Sequence, residues 1–261
     1  GSFGIGFSYS NDEGAGGTIK LQEQNFLGRG QFLSFNYSSL SDSNLVHIDF
    51  SEPQFLNRDL ALGLKLGNKT TSQQFSAYDS AVTEFEPSFS FPLSLRSRLK
   101  VKYRYSDETL TSKATTLSSA ISSQMGTKKL NTLGYAYDLD SKVDTIDPND
   151  NVQIRFSQDY SIEDDNFSYI KTKAFFRRHK MVFREEVGLA ANFEFGHLQQ
   201  VEGKSRVVDR FKTFTRQMRG FKGAGIGPRD RHATNQDPLG GQYFAVARLE
   251  SDFPLMIPDE Y

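Results

Sequence analysis

The chain has 261 residues, 31 Lys and Arg against 32 Asp and Glu, and neither Cys nor Trp. The lack of Cys excludes disulfides, thiol catalysis and Cys-ligated zinc, and the balanced charge gives no basic field of the kind that indicates a nucleic-acid partner. Aromatic residues make up 13% of the chain, which argues against disorder, and no window approaches the ~18 apolar residues of a membrane-spanning helix.

Alternation of apolar and polar residues dominates the sequence and is typical of β-strands with one buried face. It is clearest at residues 60–66, where four leucines share one face and Ala61, Gly63 and Lys65 share the other. Many alternating segments reach about ten residues, the length of a tilted strand that crosses a bilayer. We predict twelve strands, at residues 2–10, 16–25, 31–39, 44–52, 59–68, 80–91, 94–106, 128–139, 151–160, 168–177, 183–196 and 242–254.

The connections alternate between short and long. Short turns at one rim and long polar loops at the other are typical of outer-membrane barrels, although the link at 40–43 is brief and that at 140–150 is long for its side. Residues 106–127 are rich in Ser and Thr and predict a solvated loop with a short helix around Thr116–Gln124. Residues 197–241 are too long for an ordinary hairpin connection, which indicates a functional loop. Short links are predicted at 26–30, 53–58, 92–93 and 178–182.

One face of the predicted strand at 94–106 is entirely cationic. A dry core would not accept such a row, because desolvating several like charges is too costly. The preceding strand carries carboxylates on one face, and antiparallel pairing places them near the cations. We therefore predict a water-filled lumen, with a surface for an acidic ligand as the alternative. The residues assigned to it are Arg96, Arg98, Lys100, Lys102, Arg104, Glu84 and Glu86.

These patterns predict an all-β protein, a transmembrane antiparallel up-and-down β-barrel. A soluble β-sandwich would share the alternation but explains the strand length and the cationic face poorly. His47, His179, His197 and His232 show no metal-ligand spacing, and nothing resembles a nucleophile elbow or a positioned acid/base pair. We therefore expect no enzyme activity, no metal and no cofactor.

The long loop carries Met218-Arg219-Gly220-Phe221, followed by Gly227-Pro228-Arg229-Asp230. The composition of this segment is equally compatible with two interpretations. Arg219 could be a cation held inside a water-filled pore, or the segment could be an ordinary glycine-rich surface loop. However, Met218–Phe221 resembles the arginine-glycine-phenylalanine signature in the sixth extracellular loop of the BamA family of outer-membrane assembly factors. Other segments resemble parts of that barrel in the same order: residues 1–9 its first strand, 25–30 and 52–56 the turns after strands two and four, and 240–250 strand twelve.

The resemblance implies a partial barrel over residues 1–261, about twelve strands of a sixteen-stranded family barrel, with the POTRA domains and last four strands absent. It also implies a lumen-entering loop at 197–241 and a labile seam at the first strand. The loop signature would be Arg219, Gly220, Phe221, Gly227, Pro228 and Asp230, and the seam strand would contain Phe3, Gly4, Ile5, Gly6 and Phe7.

The implied function is insertion and folding of nascent outer-membrane proteins, within the BAM complex of a Gram-negative outer membrane. The implied partners are those nascent proteins, the BAM lipoproteins through the POTRA domains, and the lipid bilayer or detergent, with no nucleic acid. The alternatives are a partner-secretion or translocation transporter of the same superfamily and a passive anion-preferring pore.

Two expectations concern the missing strands. An open edge is not tolerated in hydrocarbon, so we expect residues 3–10 to pair with 242–254, or the chain to pair edge to edge with a second copy. Without the family's acidic partner strand, Arg219 is expected to pair with Glu84, Glu86 or Glu194, or to remain hydrated.

Overall fold

The computed structural model describes residues 1–10, 14–72, 77–113, 118–144, 150–163, 167–183, 186–213, 217–231 and 236–253. These residues form an almost purely β structure with one short α-helix, α1, at Ser119–Ser122, and two 3-10 turns at Phe55–Asn57 and Ser141–Asp144. No helix in this part of the chain is both long and apolar enough to cross a membrane. The strands are β1 Ser2–Ser10, β2 Gly14–Phe26, β3 Gln31–Leu40, β4 Ser43–Glu52, β5 Ala61–Thr71, β6 Tyr78–Ser94, β7 Ser97–Ser112, β8 Gly126–Asp140, β9 Asp150–Glu163, β10 Phe167–Val182, β11 Val187–Glu202 and β12 Tyr243–Asp252.

All twelve strands belong to one sheet, in which each strand pairs with its neighbours in sequence, from β1 to β12. Every pairing is antiparallel. The predicted all-β, up-and-down antiparallel fold is therefore confirmed. This topology places the turns after β2, β4, β6, β8 and β10 along one edge, called the turn rim below. The remaining connections lie along the opposite edge, called the loop rim.

The sheet is not closed, so the predicted pairing of residues 3–10 with 242–254 is wrong for this structure. In the described residues, β1 pairs only with β2, and β12 pairs only with β11. The diameter of a closed barrel is set by its strand number, and a twelve-stranded closure would have to contract around the long loop on the inner face. Pairing with a second copy remains a prediction.

Several strands extend beyond their predicted ends. β6 has 17 residues and β7 has 16, and they are joined at residues 95–96 rather than at the predicted 92–93. Pro92 still pairs with Arg98 near the end of the hairpin, a position where the missing N–H of proline is tolerated. The predicted link at 178–182 lies within β10, because Arg178 and Lys180 continue the ladder to β11.

The sheet curves so that its polar face is concave. A single cavity of about 1050 Å³ is lined by side chains from every strand between β5 and β12 and by the long loop. The opposite, convex face carries exposed large apolar side chains, including Phe85, Phe89, Val101, Tyr103 and Tyr105. The sheet therefore has a charged inner face and an apolar outer face.

Candidate functional site: the lumen and its loop

The inner wall balances its cations with carboxylates from other strands. Lys100 on β7 lies 3.0 Å from Glu86 on β6, and Lys102 lies 2.9 Å from Asp159 on β9. Glu84 pairs with Lys65 on β5 at 2.7 Å. Of the predicted lumen residues, Glu84, Glu86, Lys100 and Lys102 are therefore in cross-strand ion pairs, each of which joins two strands.

The other three predicted lumen cations have different surroundings. Arg104 lies on the same inner row, and its Nε atom is buried without a hydrogen-bond partner. Arg96 and Arg98 lie beside the β6–β7 turn, where they line a smaller cavity of about 220 Å³ together with Asp138. The cationic row thus extends from the cavity to the turn rim.

The large cavity remains cationic despite these pairs. Its lining includes four carboxylates, Glu86, Glu108, Asp138 and Glu194, against nine cations. Three of these cations, Lys171, Arg210 and Lys212, lie where the long loop meets the wall. The cavity is therefore an electropositive space between the strands and the loop.

The long loop runs from residue 203 to 242, because β11 continues to Glu202 and β12 begins at Tyr243. Its first limb is fixed by a buried charge network centred on Arg206, which is 6% exposed. The Arg206 guanidinium donates to Asp209 at 2.7 Å and 3.0 Å and to Glu108 on β7 at 2.9 Å. Tyr169 on β10 donates to the Asp209 carboxylate at 3.0 Å. This network, called the Arg206 anchor below, joins the loop to two strands.

The charges of the Arg206 anchor support one another. Burial by itself would lower the pKa of Arg206, but the hydrogen bonds and charge of Asp209, together with Glu108, hold that pKa above its usual range. Charge-assisted hydrogen bonds of this kind are stronger than neutral ones. Removing the cation would leave two carboxylates buried beside each other.

An apolar cluster packs the first limb of the long loop against the wall at the loop rim. Tyr78, Leu110, Ile121 of α1 and Val207 of the loop pack together and are all buried. The Val207 N–H also donates to the Gln124 side chain at 2.8 Å. The predicted helix around Thr116–Gln124 is present as α1, while residues 114–117 lie outside the described part of the chain. The β7–β8 connection thus forms a lid on the first limb of the loop.

The return limb of the loop is held by backbone pairing and by Asp230. Ser118, which precedes α1, donates its hydroxyl to Asp230. The backbone of Phe211 pairs with that of Gly241, with two hydrogen bonds of 2.9 Å. The Phe211 ring packs against Phe244 of β12, with ring centroids 4.9 Å apart. The two limbs are therefore joined to each other as well as to the wall.

Lys212 is the most strongly desolvated lysine of the loop. Its Nζ atom donates to the Tyr78 hydroxyl at 2.8 Å. Burial lowers the pKa of Lys212 to about 8, although the charge of Asp237 opposes this shift. Lys212 therefore carries a proton that the folded protein holds less tightly than water-exposed lysine does.

The signature arginine makes a much weaker contact than the Arg206 anchor. Arg219 lies 3.0 Å from Glu250 on the inner face of β12, but its side chain is 84% exposed. Its partner therefore differs from the three carboxylates expected from the sequence. Glu194 instead pairs with Arg248 at 3.3 Å and accepts a hydrogen bond from Gln217 at 3.0 Å.

The remaining signature residues shape the loop. Gly220 and Gly227 adopt positive φ angles of 87° and 126°, which glycine accepts without strain. The Pro228 carbonyl accepts a hydrogen bond from Leu239 at 2.9 Å. Phe221 is half exposed and donates its N–H to Met218 at 3.4 Å, closing a turn around Arg219.

The predicted seam strand is β1, whose free edge is unpaired in the described residues. Its apolar side chains are strongly exposed, with Phe7 at 91%. A Cβ atom at Gly4 would meet nothing within 4 Å, whereas one at Gly6 would lie 2.9 Å from the Thr18 hydroxyl.

Sequence reasoning missed the Arg206 anchor. In the sequence, Arg206 is one of several cations of the long loop, and nothing sets Asp209 apart. Glu108 and Tyr169 lie about 100 and 40 residues away from Arg206 in sequence. The i, i+3 spacing of Arg206 and Asp209 could have indicated their ion pair. No feature of the sequence indicates that Glu108 and Tyr169 would join it.

Comparison with known proteins identifies the family. The Omp85 superfamily domain matches residues 25–261. The chain belongs to the Omp85 superfamily. The outer membrane protein assembly factor BamA of Neorickettsia risticii (strain Illinois) is 22% identical over 262 residues, which cover 100% of this chain and 35% of that protein. The chain thus spans about a third of the length of this curated relative.

Solved structures show the same fold. The crystal structure of BamA from Haemophilus ducreyi lacking POTRA domains 1-3 superposes with a TM-score of 0.82 at 18% identity, covering 100% of this chain and 54% of that one. CdiB from Acinetobacter baumannii gives a TM-score of 0.57 at 12% identity, covering 98% and 46%. The predicted resemblance to a BamA-like barrel is confirmed, and with it the location in the outer membrane of Gram-negative bacteria.

Proposed function

We propose that this chain is the barrel of an outer-membrane protein assembly factor, which inserts and folds nascent β-barrel proteins as part of a BAM complex. The proposed partners are nascent outer-membrane proteins, the lipid bilayer, and BAM lipoproteins bound through POTRA domains. The similarity to BamA over the whole chain supports this reading. No bond is made or broken in such a function, so we propose no enzyme activity.

The observation that carries the proposal is the BamA-like barrel fold over the whole chain, in which β1 forms one edge of the sheet. An unpaired strand presents backbone N–H and C=O groups that can template an incoming strand. Gly4 and Gly6 weaken the packing of β1, and the strand can therefore exchange partners at low cost. The exposed side chains of Phe3, Ile5 and Phe7 would contact the incoming strand or lipid.

Disulfide trapping tests the templating role. The chain has no Cys, so Gly6→Cys can be paired with single Cys residues in the last strand of a nascent outer-membrane protein. We expect crosslinks at Gly6 that depend on active folding of the substrate. Gly63→Cys is the control, because Gly63 lies in β5, which is paired on both edges. Equal crosslinking at both positions would contradict the proposal.

The electropositive cavity favours a second candidate, a passive anion-preferring pore. Its nine lining cations would attract anions, but the loop and the apolar lid occupy the path. Conductance in planar bilayers separates the two functions. The assembly factor is expected to show small, unstable openings, whereas stable anion-selective openings would support the pore. The remaining alternative, a partner-secretion or translocation transporter of the same superfamily, is supported only by the similarity to the fold of CdiB.

A further inference from the structure

Two turns on the turn rim share both sequence and geometry. Phe26-Leu27-Gly28-Arg29 joins β2 to β3, and Phe55-Leu56-Asn57-Arg58 lies between β4 and β5. In each turn, the arginine N–H donates to the phenylalanine carbonyl at 3.3 Å. The two central residues of each turn have positive φ, 54° and 70° in the first and 59° and 55° in the second.

Leucine is an unfavourable choice for the first central position. A side chain with a Cβ atom is strained in the left-handed region, and Gly, Asn or Asp is normally found there. Moreover, Leu27 and Leu56 are 73% and 72% exposed, so packing within the chain does not offset that strain. Both turns therefore present a leucine outward in a strained conformation.

Two more turns on this rim present an apolar tip. Phe183, between β10 and β11, has a φ of 48° and is as exposed as the two leucines. Leu95, between β6 and β7, is equally exposed and directly precedes Arg96. The tips are therefore distributed along the rim from β2 to β11 rather than gathered in one patch, as a belt around a membrane protein would be.

The position of Phe55 shows which face these tips extend. Its ring packs against Phe89 with centroids 5.9 Å apart, and Phe89 points outward from β6. The turn thus lies against the apolar outer face, and its leucine continues that face to the rim. Arg29 and Arg58 are exposed, and neither has an ion-pair partner among the described residues.

We propose that the turn rim is an interfacial belt that binds anionic phospholipid. Leu27 and Leu56 enter the boundary between headgroups and acyl chains, and Arg29 and Arg58 bind the lipid phosphates. Apolar tips with adjacent cations match this boundary, where chains and phosphates lie within a few ångströms of each other. The inference goes beyond the assembly function, because it concerns how the barrel is held in the leaflet that faces the turn rim.

Lipid quenching of an introduced indole tests the proposal. The chain has no Trp. Leu27→Trp and Leu56→Trp are introduced in the full-length protein, which is reconstituted in phosphatidylcholine bilayers. The indole emission is obtained by subtracting the spectrum of the parent protein. We expect blue-shifted emission that brominated lipid quenches. Leu66→Trp on the outer face is the positive control for insertion. Quenching at Leu66 with none at the turns would overturn the proposal, including the case in which a protein domain shields the indoles.

Leu95→Trp is the control for misfolding caused by a Trp in a strained turn, because Leu95 is not among the positive-φ residues. It should report the same quenching as the other two sites, and emission typical of bulk water there would contradict the belt.

The arginines test the headgroup chemistry. At equal mole fraction, brominated phosphatidylglycerol should quench the turn indoles more than brominated phosphatidylcholine, by about fivefold, as expected for a cation at an anionic surface. Arg29→Gln with Arg58→Gln should abolish that preference. Lys222→Gln, which removes an exposed cation of the long loop, should leave it unchanged. Equal quenching by both lipids in the parent protein would refute the anionic preference.

Discussion

Arg206 and Arg219 lie in the same loop, yet their surroundings differ. Arg206 is buried with two carboxylates, whereas Arg219 is largely exposed and pairs with Glu250 alone. Removing one partner of a buried ion network leaves uncompensated charge in a poorly solvated site, while exposed pairs contribute little. Loop anchoring is therefore assigned to Arg206 rather than to the signature arginine.

Matched substitutions test this assignment. Arg206→Met is expected to destabilise the folded protein by about 3–5 kcal/mol, because Asp209 and Glu108 lose their shared cation. Arg219→Met is expected to cost less than about 1 kcal/mol. Urea unfolding in lipid bilayers measures both, and chymotryptic cleavage after Phe221 reports release of the loop. Greater loop cleavage in Arg219→Met than in Arg206→Met would contradict the assignment.

Lys212 predicts a pH dependence of stability. Its pKa is about 8 in the folded protein and 10.5 in the unfolded chain. Between these values the unfolded state binds the proton that the folded state has lost, so the free energy of unfolding should rise with pH. Lys212→Met should make this rise smaller, and Lys222→Met at an exposed site should leave it unchanged. Indistinguishable pH profiles for the parent and Lys212→Met would show that Lys212 is not the group responsible.

At the scale of elements, the loop reaches the wall because β11 has a glycine at the point of contact. A Cβ atom at Gly196 would clash with Phe244 and would lie 2.6 Å from the Phe211 ring. The absence of a side chain therefore lets Phe211 and Phe244 pack against the strand and brings the Phe211–Gly241 pairing onto the sheet.

Gly196→Ala is expected to displace Phe211 and weaken the loop without unfolding the sheet. Loop cleavage should increase several-fold, and the thermal midpoint should fall by only a few degrees, in line with roughly 1–3 kcal/mol for overpacking. Gly17→Ala on β2 is the control, because its Cβ atom would meet only ordinary contacts at 3.7 Å and beyond. Equal loop cleavage in both variants would refute the close-packing role of Gly196.

The strands could be predicted from the sequence because alternation is a local property. Their ends were harder to place: β6 and β7 continue past the apolar region, where polar residues on both faces give no alternation. The sequence predicts a turn at Pro92, although Pro92 lies in β6 near the end of a hairpin that tolerates it. The Arg206 anchor could not be predicted, because its members come from β7, β10 and the loop and meet only in the folded chain.

At the scale of the whole molecule, the sheet is arranged inside out relative to a soluble protein. Charged pairs such as Lys100–Glu86 and Lys102–Asp159 lie inside, and large apolar side chains lie outside. Contiguous exposed apolar surface of this extent indicates contact with a membrane. The anchored loop and the apolar tips of the turn rim acquire a role only in that setting.

Oxygen accessibility along β6 in lipid bilayers tests this arrangement most directly. Single Cys substitutions from Glu84 to Phe91 in the Cys-free chain would carry a spin label, whose relaxation reports collisions with oxygen or with a water-soluble nickel chelate. The account predicts oxygen maxima at Phe85, Phe89 and Phe91, with minima at Glu84 and Ser90. A flat profile, or maxima at Glu84 and Ser90, would contradict the outward orientation of the apolar face.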